Sequence, residues 1–173
     1  TLQKVLQGMV PAKEHLAVAV GGPGTVVRTV MIPKMTPAKL KTALNFEAEK
    51  YIPFRLDEVF LDSAILGDQP GGRMEVVLAA ARKDLVHSRM ELLGAIGIVP
   101  HGIDLESVAL ANAWEASPVE GCGNDPAVLL HLGARGTILN FLFGKQLQFT
   151  REIPVGGQAF TQAIAEGLGV DLK

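Results

Sequence analysis

The sequence holds one cysteine, one tryptophan and one tyrosine in 173 residues, and no surplus of charge of either sign. Each scarcity excludes something. Cys122 alone cannot close an internal disulfide, and no Cys or His stands near it at metal-ligand spacing. A reducing compartment is therefore the default expectation. A formal charge of −2 and a pI near 6.1 leave no basic footprint for nucleic acid or an anionic membrane surface. No run approaches the roughly 20 apolar residues that span a bilayer, so no direct membrane insertion is expected. Thr1-Leu2-Gln3-Lys4 opens an ordinary amphipathic segment and not a signal peptide.

What is present is 48% hydrophobic and 20% charged, the balance of a folded chain with a real core. The first residue is not Met, and Asp171-Leu172-Lys173 stop just past Gly169, so the chain reads as a piece of a longer protein. Leu2, Val5, Leu6 and Met9 form one stripe of a helix end. Strands are expected at His15–Val20 and Thr25–Ile32, joined by Gly21-Gly22-Pro23-Gly24. Thr36 before Pro37 starts a helix, with the hydroxyl as N-cap, and that helix must end before Pro53. Val59–Leu66 alternates as a strand, a Pro/Gly loop covers Gly67–Arg73, and Met74–Ala81 reads as a buried strand. A second helix over Lys83–Ile96 carries Leu85, Val86, Leu92, Leu93 and Ile96. A strand near His101–Leu105 and a helix near Ser107–Ala116 follow, the latter with Leu110 and Trp114 as core. Ser117–Asp125, with Pro118, Gly121 and Gly123, is the best boundary candidate. The centre of the chain is thus strand, helix, strand, strand, helix, strand, with both helices expected on one face of the sheet: an α+β unit.

The stretch after residue 125 is the most informative. Apolar runs at Ala127–Leu132 and Thr137–Phe143 flank the turn Gly133-Ala134-Arg135-Gly136. Gln146–Ile153, Gly156-Gly157 and a helix with Phe160, Ile164 and Leu168 spaced by four come next. This order resembles one jaw of the nucleotide clamp of actin-like ATPases. Glycines let backbone N–H groups approach phosphates, and the Thr137 hydroxyl can bond a phosphate oxygen. Candidate cofactor-binding residues are therefore Gly133, Ala134, Arg135, Gly136, Thr137, Gly156 and Gly157. Where that group carries an acid, this chain carries His131, a poor match for the oxygen ligands Mg²⁺ prefers.

Other chemistry is thin. Glu47 and Glu49 lie two apart on one helix beside Lys39, Lys41 and Lys50, which describes a solvated salt-bridging face. His15, His87 and His101 are isolated, and Ser63, Ser88 and Ser107 lack a nucleophile elbow. No catalytic or metal-ligating set emerges. Phe46 stands out, because Leu40, Leu44, Ala48 and Tyr51 share one helix face while Phe46 points roughly opposite.

Ala43-Leu44-Asn45-Phe46-Glu47-Ala48-Glu49-Lys50-Tyr51-Ile52-Pro53-Phe54 resembles the signature of the PilM family of type IV pilus assembly proteins. Arg28–Met35, Met74–Ala81, Ile103–Glu106 and Phe149–Gly157 resemble the same family, in order along the chain. The resemblance implies an actin-like (RNase H-type) fold, related to FtsA, with an SHS2-type 1C subdomain. It places the end of subdomain 1A at 1–30, 1C at 31–105, the return to 1A and a linker at 106–124, and the start of 2A at 125–173. It also implies a cytoplasmic scaffold peripheral to the inner membrane, binding the cytoplasmic tail of a PilN-like protein in the groove between 1A and 1C. Phe46, Tyr51, Ile52, Pro53 and Phe54 are the residues expected to form or support that groove. ATP and Mg²⁺ belong to the family's full-length proteins. With His131 in place of the acid, this chain is expected to bind Mg-ATP weakly and not to act as an enzyme. The competing readings are an actin-like ATPase or kinase with a working site, an FtsA-like divisome protein, and a type II secretion platform protein. Exchange of strands or helices between two copies would make a homodimer.

Overall fold

The computed structural model describes residues 16–116, 125–144 and 146–171. The expected stripe at 1–9, His15, Cys122 and most of the 117–125 boundary lie outside these residues. The chain divides into two compact units. One runs to Val26 and resumes over Val30–Glu106; the other takes Val27–Thr29 and the chain from Ser107.

In the first unit, β1 (Ala17–Val20) pairs in parallel with β5 (Gly102–Leu105). A three-stranded sheet has the order β2-β4-β3, from β2 (Thr25–Pro33), β3 (Val59–Gln69) and β4 (Arg73–Arg82). The expected hairpin loop shrinks to Pro70–Gly72, with Gly71 and Gly72 both at positive φ. Pairing overrides the weak strand preference of Gly67 and Asp68, and a register irregularity between Ile65 and Gly67 absorbs the mismatch. Bonds from Arg82 N to Gly24 O (2.9 Å) and from Lys34 N to Gly72 O (2.8 Å) tie the two ends of β2 to opposite ends of β4.

Helix α1 (Pro37–Ala48) begins as its sequence dictates, Thr36 accepting from Lys39 N at 3.4 Å with Pro37 in the first turn. Removing that acceptor in Thr36→Ala should cost about 0.5–1 kcal/mol, read as a lower urea midpoint. Leu40, Leu44 and Ala48 then pack with Ile52 onto Val30, Ile32, Val59, Met74, Val76, Leu78 and Ala80, the main core.

Helix α2 (Lys83–Gly94) behaves differently from expectation. Its buried residues are Val86 and Leu93, neither belongs to the α1 core cluster, and the helix meets β1 and β4. Val86 and Leu93 therefore lie outside the cluster that α1 fills. Leu92, expected on the apolar stripe, is exposed. Six residues beyond Val86 it sits about 120° round the helix, whereas Leu93 returns to within about 20°.

In the second unit, β6 (Pro126–Leu132), β7 (Thr137–Phe143) and β8 (Gln146–Ile153) form an antiparallel meander. Ile138, Asn140 and Leu142 bury one face of β7. Helix α3 (Glu106–Ala116) is tied to that face by Asn140 Nδ2 donating to Ser107 O at 2.7 Å. Leu110 and Trp114 are half-buried. The opposite face leaves Val128, Leu130, Phe141 and Phe149 exposed, the two phenyl rings 5.8 Å apart. Helix α4 (Gly157–Leu168) ends on Gly169 at φ 64, and its spaced-by-four residues Phe160, Ile164 and Leu168 are exposed while Ala165 is buried.

Candidate functional site

Two places carry the residues singled out by sequence, and a third emerges only from the fold. The first is the glycine turn. Gly133 N donates to Gly136 O (2.9 Å), closing the tip between β6 and β7. The first N–H groups of α4 then point at that tip: Gly157 N donates to Gly133 O (2.9 Å) and Gln158 N to Ala134 O (2.8 Å). The Thr137 hydroxyl donates to Val155 O at 2.7 Å. Gly156 makes this approach possible, since a Cβ there would lie 2.5 Å from Gly133 O and 2.7 Å from Gly136 N. All seven candidate cofactor residues therefore come together. The helix-start N–H groups and the hydroxyl that a phosphate would use have acceptors within the chain. His131 is exposed on β6, two residues before the tip, and among the described residues no cluster of His, Cys, Asp and Glu could hold a metal.

The second place is the outer face of α1. Phe46 is 76% exposed and borders a shallow apolar depression with Ala38, Thr42 and Ala43. The rest of its motif scatters: Ile52 is in the core, Phe54 packs against the core, and Tyr51 and Pro53 are exposed. Glu47 pairs with Lys50 at 2.9 Å on the surface, the solvated role expected of it.

The third place is a cavity of about 520 Å³ within the first unit, which no sequence motif announced. Phe60, Leu61 and Asp62 of β3 form one wall, Val86 and Met90 of α2 a second, and residues 101–105 a third. Its floor explains it. Ala79, Ala80 and Ala81 interrupt the bulkier run Val76-Val77-Leu78, and the register sets them opposite Asp62, Leu61 and Phe60. Small side chains facing a strand on the sheet's edge leave volume unfilled. The run of three alanines was the available signal. At the margin, Phe60 meets the His87 ring edge-on at 5.7 Å, and Lys83 donates to Asp57 O. Arg82 hydrogen-bonds Asp84 and holds its carboxyl below the usual carboxylate range, as Arg55 does for Asp57. Both pairs lie at the surface, and neither carboxyl is an acid or base poised near neutrality.

Comparison with known proteins completes the picture. A solved structure titled "PilM-PilN type IV pilus biogenesis complex" is 31% identical, with a TM-score of 0.84, over 98% of this chain and 51% of that one. The cytoplasmic domain of EpsL, an inner-membrane component of the type II secretion system of Vibrio cholerae, matches at 13% identity and a TM-score of 0.55, covering 95% of this chain and 59% of that domain. This chain thus spans about half the length of the first and shares the actin-like α+β fold with both. Residues 1–173 match throughout the family described as type IV pilus assembly protein PilM, and the chain belongs to that family.

Proposed function

We propose that the chain is part of a cytoplasmic, actin-like scaffold for type IV pilus assembly that holds the tail of a PilN-like inner-membrane protein. The observation that carries this reading is the apolar cavity of the first unit. Val20 comes from the segment expected to be 1A and the remaining walls from the segment expected to be 1C. The volume suits apolar side chains of a short extended segment, and Asp62, His101 and Asp104 add polar groups to a mainly apolar lining. Attachment at the membrane then comes through the partner. No helix among the described residues is long and apolar enough to cross a bilayer.

The test is a labelled peptide of the partner's cytoplasmic tail, titrated against the intact protein. Ala79→Phe, which fills the cavity floor, should weaken binding at least tenfold, and unchanged affinity would remove the cavity from the reading. The exposure of Phe46 favours a second surface. If Phe46→Ala and Tyr51→Ala weaken the peptide while Ala79→Phe does not, the tail docks on α1 instead.

The glycine turn fits a Mg-nucleotide poorly. The N–H groups of Gly157 and Gln158 and the Thr137 hydroxyl are satisfied by carbonyls of the chain, and His131 offers nitrogen where Mg²⁺ prefers oxygen. We read the turn as a fold element and not as a working ATPase site. Calorimetric titration of the intact protein with Mg-ATP should show affinity weaker than micromolar and no turnover; tight binding with hydrolysis would reinstate the enzyme reading.

A further inference from the structure

The cavity reading does not say how the tail is held. Three observations around β3 bear on that. Among the described residues β3 pairs only with β4, so the outer edge of its first half presents backbone N–H and C=O groups to whatever lies beside it. The residues of that edge, Phe60, Leu61 and Asp62, are themselves a wall of the cavity. This edge carries one exposed charge, Asp62, and a register irregularity beyond Ile65, but beside the cavity it exposes Phe60. An apolar edge that opens onto an apolar cavity is suited to receiving a strand.

Phe60 and Asp62 are two apart, so their side chains leave the same face of the strand. Asp62 is exposed, and its Oδ1 accepts the N–H of Ser63 at 2.8 Å, a local bond that holds the carboxylate beside the edge and that an added strand would share or replace. Among the described residues it has no ion-pair partner. A segment lying along β3 would present alternate side chains to this face, one beside Phe60 and the next beside Asp62.

We propose, resting on the docking reading above, that the partner's tail adds to β3 as a fourth strand of the β2-β4-β3 sheet. An apolar side chain opposite Phe60 enters the cavity, and a lysine or arginine two residues away pairs with Asp62. Main-chain bonds to the edge supply affinity, and the cavity and carboxylate set register and specificity. The charge pair lies at the rim, so it acts on association rate and salt dependence more than on depth of binding.

The experiment is hydrogen exchange and titration on the intact protein with the same tail peptide. Bound peptide should slow exchange at alternate amides of residues 60–64. Asp62→Lys should weaken binding about tenfold in low salt, with the difference shrinking by 0.5 M salt, and a peptide with its basic residue changed to Glu should regain affinity for that variant. Melting curves matched to wild type would show that Asp62→Lys folds. Failure of the wild-type protein to bind the peptide would overturn the docking reading and this one with it. Binding with unchanged exchange at 60–64 would overturn strand addition alone. Protection without charge-swap rescue would overturn the cation assignment. Protection that rises with protein concentration and needs no peptide would show two copies pairing edge to edge, which also overturns it.

Discussion

Gly156→Ala should destabilise the second unit by about 2–4 kcal/mol, while Gly157→Ala, one residue on, should stay within about 0.5 kcal/mol of wild type. The contrast is steric. At position 156 a Cβ would meet Gly133 O at 2.5 Å, Gly136 N at 2.7 Å and the Ala134 carbonyl carbon at 2.8 Å, all backbone atoms that no rotamer change can move aside. Relief requires the turn and the helix start to separate, which breaks the bonds from Gly157 N and Gln158 N and leaves donors unpaired. At position 157 the nearest atom, Gly133 O, lies at an ordinary 3.8 Å, and alanine is a better helix residue than glycine. The φ of Gly156 is −145, an extended value any residue adopts, so strain plays no part. Urea unfolding of both variants followed by circular dichroism would decide it. Equal midpoints would mean that the tip is not held against α4.

Leu78→Ala should cost about 3 kcal/mol and Leu92→Ala less than about 0.5 kcal/mol, although both were expected to be apolar positions of regular elements. Leu78 is 2% exposed at the centre of the cluster joining β4 to α1, where truncation removes contacts on every side and leaves a cavity. Leu92 is 53% exposed and loses little. The same unfolding measurement applies. A large loss in Leu92→Ala would show that α2 buries a different face.

The two leucines also mark how far the sequence could be read. Strands and helices followed local rules: Thr36-Pro37 started α1, Gly169 ended α4, alternation set β3 and an apolar run set β7. Such features depend on a few neighbouring residues. The length of β3 did not, because Gly67 and Asp68 are poor strand residues held in place by their partners Glu75 and Met74. The glycine turn was legible as a place but not as a set of hydrogen bonds. Whether an N–H faces a phosphate or a carbonyl of its own chain depends on how closely α4 approaches the tip. Phe46 was legible as an outlier on its helix, yet the cavity was missed. Its walls come from β1, β3, β4, α2 and β5, and only the register brings Ala79–Ala81 opposite Phe60–Asp62.

The parallel pairing of β1 with β5 has a consequence for the order of assembly. β6, β7 and β8 are joined to immediate neighbours, so the meander can form by closing short loops. β1 must wait for a strand from the far end of its unit, after α1, the β3–β4 hairpin and α2 have passed. Closing a long loop defers its reward until the intervening elements exist. Residues 101–105 and Val20, brought together by that pairing, are walls of the cavity. The docking site proposed above therefore rests on a long-range pairing, and a bound tail would act as the clasp that keeps it closed.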